Sequence, residues 1–316
     1  MRVLVTGADG FAGRYLLRQL LGGGHAVLGA VRRGAEAPHG WLTPAEGRAV
    51  EWTELELTDP GSCRAIAGER VDAVVHLAAI ASSRDARQDP AAAWAVNAGG
   101  TALFLDALAE ARAGGDGPLV LAISSGEVYG AGPARPRVET EEMRPQSPYA
   151  ATKAAMEIAA LEVWRRTGLR VVIARAFQHI GPGQAAHYVV PSLLRRIREA
   201  RAAGERTVAT GNLEPVRDIS DVRDVVAAYA ALLDRGVPGT VYNVAHGEGI
   251  GLGELFARLA SLVGAEVTAR PDPGLMRAGD IPHLVGSNAR LREATGWRPA
   301  ISIDQTLRDM VDAQAD

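Results

Sequence analysis

Short apolar runs rich in β-branched residues alternate with helical stretches through the first half of the chain, and this alternation constrains the fold most. The runs interpreted as buried strands are Val3 to Val5, Ala26 to Val31, Ala73 to Leu77, Leu119 to Ser124 and Arg170 to Ala174. Helical periodicity fills Gly13 to Leu21 and Asn97 to Ala111 between them. Strands that are apolar throughout are buried on both faces, so the pattern predicts an α/β fold with a doubly wound parallel sheet.

A glycine-rich turn follows the first strand and opens the first helix, with Gly7, Gly10 and Gly13 spaced as G-x-x-G-x-x-G. Glycine allows a tight turn, a close approach of the backbone to a pyrophosphate and close helix–strand packing. The helix N-terminus adds free amides and a partial positive charge. Between a strand and a helix, the motif predicts a dinucleotide-binding Rossmann sheet, with Phe11 and Ala12 in the same turn.

The end of the second strand bears on which dinucleotide is bound. An acidic residue there would hold the ribose 2′-hydroxyl of NAD, whereas Arg32 and Arg33 offer guanidinium groups to a 2′-phosphate. The sequence therefore favours NADP over NAD, the alternative being that both arginines are simply solvated. Further cofactor contacts are expected from the ends of the third and fourth strands, at Glu56, Leu57, Leu77, Ala78 and Ala79.

All but one of the 34 basic residues are arginine, and the single lysine, Lys153, comes four residues after Tyr149. This spacing places both side chains on one helical face. An ammonium is a compact point charge that a guanidinium does not replace. We expect it to lower the phenol pKa from about 10, so that Tyr149 serves as an acid or base. Ser125, at the end of the fifth strand, would hold a substrate oxygen beside it.

Together these motifs resemble the extended short-chain dehydrogenases/reductases, the nucleotide-sugar epimerase/dehydratase group. The resemblance covers essentially the whole chain and is carried by the glycine motif, His76 to Ala79, Asn97, Ser124 to Gly130, and Tyr149 with Lys153. It implies that Ser125, Tyr149 and Lys153 form a catalytic triad around a nicotinamide, with hydride passing at carbon 4 of a sugar. It also implies cofactor contacts from Asn97 and Phe177.

The second half of the chain is similar to the subgroup of GDP-4-keto-6-deoxy-mannose reductases. The similar segments are Ala174 to Gln184, Gly211 to Asp218, Asp221 to Val226, and the tail from Arg277 to Trp297. This similarity implies that Arg217 and Arg277 bind the nucleotide diphosphate and that Gln178 and His179 contact substrate. The family usually has asparagine at the position of Gln178, so the extra methylene can change which hexose is accepted.

Glu127 leaves the reaction open. The resembling dehydratases use a glutamate here to remove a sugar proton, and they usually have an acid or hydroxyl residue before it, where this chain has Gly126. The leading prediction is NADPH-dependent reduction of the 4-keto group of a nucleotide-linked 4-keto-6-deoxyhexose, with GDP as the nucleotide. The alternatives are a 4-epimerase or 4,6-dehydratase that recycles NAD(P), and a non-catalytic NADPH sensor or scaffold.

After residue 177 the alternation loosens, which predicts a second, smaller mixed α/β domain interleaved with the first. The predicted division assigns residues 1–177 and 216–245 to the Rossmann domain, and residues 178–215 and 246–316 to the nucleotide-sugar-binding domain. A net charge of −3 argues against nucleic acid as a partner. The scattered histidines show no metal-site spacing.

A single cysteine, the lack of a signal peptide and the lack of an apolar run of roughly 18 residues indicate a cytoplasmic protein without a membrane partner. Family resemblance implies a homodimer formed through the helices that contain Asn97 to Ala111 and Tyr149 to Arg165.

Overall fold

The structure, a computed structural model, describes residues 1–35, 41–112, 117–276 and 280–313. Its strands are β1 (Arg2–Thr6), β2 (Ala26–Val31), β3 (Val50–Glu54), β4 (Ala73–His76), β5 (Leu119–Ser125), β6 (Val171–Ala176), β7 (Gln178–Ile180), β8 (Thr207–Thr210), β9 (Val216–Asp221), β10 (Val241–Val244), β11 (Gly249–Gly251), β12 (Thr268–Pro271) and β13 (His283–Leu284). Its α-helices are α1 (Phe11–Gly22), α2 (Pro44–Ala49), α3 (Pro60–Ala67), α4 (Ser83–Gln88), α5 (Pro90–Ala93), α6 (Thr101–Ala111), α7 (Pro148–Thr167), α8 (Val189–Ala203), α9 (Val222–Arg235), α10 (Leu252–Val263), α11 (Ala289–Thr295) and α12 (Ile303–Ala313).

Seven parallel strands form the central sheet, in the order β10-β6-β5-β4-β1-β2-β3. Every strand predicted from the apolar runs lies in it, and β2 has the predicted bounds. The predicted α/β class with a doubly wound parallel sheet is therefore confirmed. The third strand, which we expected to reach Glu56, ends at Glu54 because the chain turns there into the loop that precedes α3.

Helices cover both faces of this sheet because successive strand side chains point to opposite sides. Val3 and Val5 belong to one apolar cluster, together with buried residues of α1, α9 and α11. Leu4 belongs to the other cluster, which contains buried residues of α3, α6 and α7. The carboxyl ends of the strands are left between the two helical layers, where open parallel sheets bind ligands.

The smaller lobe is built on short strands and on α8, α10 and α12. β9 pairs in parallel with β7 and β13 and antiparallel with β11, while β8 pairs with β12. A separate apolar cluster lies among these elements. Since β9 belongs to the small sheet and β10 to the central one, the segment 216–245 joins the two units. The assignment of residues to two domains stays a prediction.

The stretch Pro90–Ala111 is helical throughout and includes a π-helical turn at Trp94–Gly100 between α5 and α6. The stretch has 22 residues and contains an apolar window of 18 residues with a mean hydropathy of 1.2, so by length and composition it could cross a membrane, contrary to our expectation that no such run exists. These criteria are weak on their own, since core helices also meet them. Here α6 packs against α3 and α7, and 44% of the apolar window is buried.

Candidate active site

A cleft of about 1460 Å³ opens at the carboxyl ends of the central strands and continues between them and the smaller lobe. Pockets for one small ligand typically measure roughly 300–1,000 Å³, so the cleft has room for a cofactor and a substrate. The predicted site residues that line it are Gly7, Gly10, Phe11, Ala12, Gly13, Arg32, Glu56, Leu57, Leu77, Ala78, Ala79, Ser125, Glu127, Tyr149, Lys153, Phe177, Gln178, His179 and Arg217. Arg33 and Asn97 lie away from it, and Arg277 lies outside the described residues.

The glycine turn packs too closely against its neighbours to carry side chains. Gly7 has φ of +66°, and a Cβ there would lie 2.9 Å from the backbone nitrogen of Ala78. A Cβ at Gly13 would lie 2.4 Å from the carbonyl oxygen of Gly7. Gly10 caps α1 without a side chain, so the first amides of the helix remain available to a phosphate.

The two arginines after β2 have different surroundings. Arg32 lines the cleft. Arg33 instead pairs with Asp59, its Nη2 lying 2.9 Å from Oδ2, and its side chain is 60% exposed. Asp59 also caps α3 by accepting a hydrogen bond from the amide of Gly61. Arg32 is therefore better placed than Arg33 to meet a ligand.

Asn97 holds the loop after β4, which we predicted to contact the cofactor. It lies in the π-helical turn, a feature that often marks functional sites. Its Oδ1 accepts a hydrogen bond of 2.8 Å from the Ile80 amide, and its Nδ2 donates to the Ile80 carbonyl and to Oγ1 of Thr152. Thr152 in turn donates to the carbonyl of Tyr149. Asn97 thus joins the loop after β4 to the first turn of α7.

Ser125, Tyr149 and Lys153 meet at the end of β5. Helix α7 begins at Pro148, with Ser147 as its cap, so Tyr149 and Lys153 fall on the face turned to the cleft. Both are buried, and the Ser125 hydroxyl shares a hydrogen bond with the Tyr149 phenol. The Nζ of Lys153 donates to the carbonyl of Ile123 at 2.7 Å.

The protonation of this set differs from the sequence-based expectation. Burial raises the pKa of Tyr149, the negative charge of Glu127 raises it further, and the hydrogen bond with Ser125 acts in the opposite direction. The expected net fall of the phenol pKa is therefore wrong in this structure: burial outweighs any stabilisation of the phenolate by Lys153, whose ammonium donates to a backbone carbonyl. Burial lowers the pKa of Lys153 to about 8, against the attraction of Glu157.

Glu127 is held by serines that sequence reasoning did not single out. Its Oε2 accepts hydrogen bonds from Ser83 at 3.0 Å and from Ser147 at 3.5 Å. Directly before it, a Cβ at Gly126 would lie 2.9 Å from the ring of Phe177. The glycine thus leaves space that the Phe177 ring occupies.

A buried ion pair, also missed from the sequence, lies one helical turn below Lys153. Arg175 of β6 donates from Nη2 to Oε2 of Glu157 at 2.8 Å, and both side chains are almost fully buried. Ser124 donates to the same carboxylate, and Arg175 lies 4.8 Å from the ring centre of Tyr129. The sequence did contain one indication of this pair: Glu157 is four residues after Lys153 and therefore lies on the same buried face of the helix. The pair fastens α7 to β5 and β6.

The part of the cleft predicted to hold the substrate is built mainly from the smaller lobe. Gln178 and His179 lie on β7, and the His179 ring stacks on Phe11 with 6.1 Å between centres. Gln184, which the sequence reasoning did not propose as a contact, lines the cleft and donates to the His179 carbonyl at 3.0 Å. Arg217 donates to the Ile281 carbonyl at 2.6 Å. In the described ranges, no group of three or more histidine, cysteine or acidic residues is placed to hold a metal ion.

Known proteins of similar sequence and structure act on nucleotide sugars. A family model described as GDP-mannose 4,6 dehydratase matches residues 4–310. The GDP-6-deoxy-D-mannose reductase of Pseudomonas aeruginosa is 38% identical over 311 residues, covering 97% of this chain and 95% of the relative. The UDP-glucose 4-epimerase of Mycolicibacterium smegmatis is 31% identical over 313 residues, covering 99% of this chain and 98% of the relative. The structure of RMD from Pseudomonas aeruginosa complexed with NADPH matches with a TM-score of 0.81 and 34% identity, covering 99% of this chain and 98% of that one.

Proposed function

The chain belongs to the GDP-mannose 4,6-dehydratase family of extended short-chain dehydrogenases/reductases, and on that premise we propose that it uses NADPH to reduce the 4-keto group of a GDP-linked 4-keto-6-deoxyhexose. The product would be a GDP-6-deoxyhexose of the GDP-rhamnose type. The observation that carries the proposal is the buried set of Ser125, Tyr149 and Lys153 at the end of a dinucleotide cleft. The reductase from Pseudomonas aeruginosa supports the choice of reaction.

The residues present fit a dinucleotide phosphate. Gly7 and Gly13 line the cleft, and a Cβ at either position would strike neighbouring backbone atoms, so only glycine lets the turn pack this closely. The first amides of α1 would bind the diphosphate, and Arg32 would bind the 2′-phosphate. When bound, NADPH supplies the hydride for the carbonyl carbon. The NADPH complex of the similar RMD structure supports this choice over NAD.

The protonation state of Tyr149 suits the reductive direction. Because its pKa is raised, the phenol carries its proton at neutral pH and can donate it to the oxygen that becomes the 4-hydroxyl. Ser125, already hydrogen-bonded to the phenol, would orient the carbonyl. Lys153 is positively charged below pH 8 and would stabilise the phenolate left after proton transfer. An enzyme that begins by oxidising its substrate needs the phenolate first.

The space beside Gly126 also favours reduction over dehydration. The resembling dehydratases usually carry an acid or hydroxyl residue at this position. Here the Phe177 ring lies where such a side chain would begin, 2.9 Å from the Cβ position. Glu127 therefore has no acidic or hydroxylic neighbour at the preceding residue, and its carboxylate is bound by Ser83 and Ser147 instead.

A second candidate is a nucleotide-sugar 4-epimerase or 4,6-dehydratase that recycles NAD(P). Glu127 favours it, because this carboxylate lies in the cleft beside Tyr149 and could accept a sugar proton. The similarity to the UDP-glucose 4-epimerase of Mycolicibacterium smegmatis also favours it. Such an enzyme returns its cofactor to the starting oxidation state in each cycle.

The deciding experiment supplies the purified protein with GDP-4-keto-6-deoxy-D-mannose and NADPH. We expect one NADPH to be oxidised per sugar reduced, with the product identified by NMR. Tyr149→Phe should lower kcat by roughly 10²–10⁴-fold, because it removes the proton donor. Tyr188→Phe alters another tyrosine of the cleft and should change kcat only a few-fold. Conversion of the sugar without net NADPH consumption would instead establish the epimerase or dehydratase.

We also propose that the protein is a cytoplasmic homodimer. Ile158 on α7 is 62% exposed and Trp94, in the π-helical turn, is 46% exposed, although both helices are otherwise well packed. Exposed apolar side chains on neighbouring helices are a common feature of subunit interfaces. These helices are the ones through which resembling proteins pair.

A further inference from the structure

Tyr229 of α9 places an unexplained polar atom in the core beneath the active site. The residue is completely buried, and its ring belongs to the same apolar cluster as Ile123 of β5 and Ala176 of β6. Within residues 1–35, 41–112, 117–276 and 280–313, its hydroxyl has no hydrogen-bond partner. The proposed reaction assigns this residue no role.

A buried hydroxyl that has no hydrogen-bond partner destabilises the fold. A buried donor without an acceptor costs about 1–3 kcal/mol, whereas phenylalanine would fill the same space without that penalty. The group also does not lose its proton, since burial raises the pKa of Tyr229. It therefore remains a hydrogen-bond donor throughout the physiological range. An acceptor supplied by a ligand would satisfy it.

The position of Tyr229 indicates which ligand. The residue lines the cleft together with Ser125, Tyr149 and Lys153. Tyr149 also contributes to the raised pKa of Tyr229, and both residues line this cleft. Helix α9 covers one face of the central sheet and α7 covers the other. The two tyrosines therefore belong to helices on opposite faces of the sheet, and both contribute to the cleft at the strand ends.

The group that hydride transfer would bring beside Tyr149, in the part of the cleft that Tyr229 also lines, is the nicotinamide ring of a bound cofactor. Hydride transfer requires reacting atoms about 3–3.5 Å apart, so the ring must lie beside the carbon whose oxygen Tyr149 protonates. The ring carries one carbonyl acceptor, in its carboxamide, and the position of that carboxamide distinguishes the two ring orientations about the glycosidic bond.

We propose that the Tyr229 hydroxyl donates a hydrogen bond to the carboxamide oxygen of the nicotinamide and thereby fixes which face of the ring is turned to the substrate. This inference rests on the proposed NADPH-dependent function and adds a cofactor-binding residue to it. It concerns cofactor binding, so it can be tested without any sugar substrate.

The test compares wild-type protein with Tyr229→Phe by calorimetric titration of NADPH and of 2′-phospho-ADP-ribose, which lacks the nicotinamide ring. We expect NADPH to bind the variant about 10-fold more weakly, equivalent to about 1.4 kcal/mol. The affinity for 2′-phospho-ADP-ribose should be unchanged. Without nucleotide, the variant should melt at the same temperature as wild type or higher, because an unsatisfied hydroxyl has been removed.

Tyr242→Phe provides a matched control. Tyr242 is also a buried tyrosine, but its hydroxyl accepts a hydrogen bond of 3.2 Å from the Val237 amide and it lies outside the cleft. This variant should lose stability and keep its affinity for both nucleotides.

The inference is overturned if Tyr229→Phe binds NADPH as tightly as wild type, or if its affinity for 2′-phospho-ADP-ribose falls equally. It is also overturned if the variant is destabilised without nucleotide and NADPH binding is unaffected. The Tyr229 hydroxyl would then donate its hydrogen bond to a bound water rather than to the cofactor. Failure of the protein to reduce any keto sugar, with the expected binding difference intact, would count against the proposed function and leave this inference standing.

Discussion

At the scale of single residues, we expect the charge of Lys153 to limit the pH range in which the proposed site works. Burial lowers its pKa to about 8, so the ammonium that would stabilise a Tyr149 phenolate is lost above that pH. Because Lys153 is the only lysine in the sequence, protein labelled with ¹⁵N-lysine gives a single side-chain nitrogen signal. We expect this signal to titrate near pH 8, and kcat/KM to fall through the same pH.

The variant Glu157→Gln tests whether the ion pair of Glu157 and Arg175 influences the titration of Lys153. Glu157 holds the pKa of Lys153 up, so Glu157→Gln should shift the midpoint of the nitrogen signal to lower pH. A midpoint near the ordinary lysine value of 10.5 in wild-type protein would show that burial does not control this ammonium.

We expect the choice of cofactor also to depend on single side chains. Arg32 lines the cleft, whereas Arg33 is engaged with Asp59. Arg32→Asp should therefore raise the KM for NADPH at least 10-fold and that for NADH little, because it replaces a partner of the 2′-phosphate by a repelling charge. Arg33→Gln is the control and should change both KM values less than threefold, that is, by well under 1.4 kcal/mol. Equal effects of Arg32→Asp on both cofactors would contradict the assignment.

Residues that lie close together because of their spacing along one helix could be predicted from the sequence. Residues that meet only because a strand packs against a helix could not. Tyr149 and Lys153 share a helical face, so their spacing alone brings them together. The pair of Glu157 and Arg175 needed knowledge of which strand packs beneath α7, and spacing does not contain that information. The direction of the Tyr149 pKa was predicted wrongly because it depends on the depth of burial, which outweighs one charged neighbour.

At the scale of elements, the start of α1 depends on how closely it packs against β1. In Gly13→Ala the new methyl group would lie 2.4 Å from the Gly7 carbonyl oxygen and 2.7 Å from that of Ala8. Backbone atoms must then move, and we expect a loss of about 1–3 kcal/mol in the free energy of unfolding, together with weaker nucleotide binding.

Gly22, in the same helix, provides the comparison. A Cβ there meets nothing within 4 Å, so Gly22→Ala should be neutral or gain about 0.4–1 kcal/mol. Urea denaturation of both variants measures the difference. Equal stability of Gly13→Ala and Gly22→Ala would show that the turn relaxes without cost.

The bounds of helices and strands could be predicted where the hydrophobic periodicity is strong. They were harder to predict where the helical geometry changes from α to π within one helix. β2 and α1 follow apolar runs that a period of two or 3.6 describes. The helix expected to begin at Asn97 instead continues a π-helical turn that starts at Trp94. A π turn inserts one residue into the helical repeat, so a search for regular spacing does not detect it.

At the scale of the whole molecule, Asp218 joins the small sheet to two loops. Its carboxylate accepts hydrogen bonds from the amides of His246, Gly247 and Gly286. Burial nevertheless raises its pKa to about 6 from an ordinary value of 3.8. The folded protein thus binds this proton more tightly than the unfolded chain, and the stability gained is full below about pH 4 and lost as the pH rises through 6.

We therefore expect the free energy of unfolding of wild type, relative to Asp218→Asn, to fall by about 2 kcal/mol between pH 4 and pH 7. Urea denaturation of both proteins at the two pH values measures this. A difference between the proteins that does not change with pH would mean that Asp218 titrates alike in the folded and unfolded states.

The proposed dimer can be tested by substituting Ile158, which is the most exposed large apolar side chain among the described residues of the single chain. Ile158→Asp places a charge on an exposed position of α7, so it should convert a dimer to a monomer at micromolar concentration without unfolding it. Val237→Asp is the control, since Val237 is 56% exposed but lies in the loop before β10. Light scattering after size-exclusion chromatography reads the mass. A wild-type monomer would contradict the proposal, as would a dimer that survives Ile158→Asp.

Because its single lysine is buried, the chain carries its own reporter of unfolding. A protease that cleaves only after lysine has one possible target in the whole sequence, and in the folded protein helix α7 encloses it. Cleavage into fragments 1–153 and 154–316 therefore requires that helix to open, and its rate measures how often α7 leaves the core. Ligands that hold the helix in place would slow the cut in proportion to their occupancy.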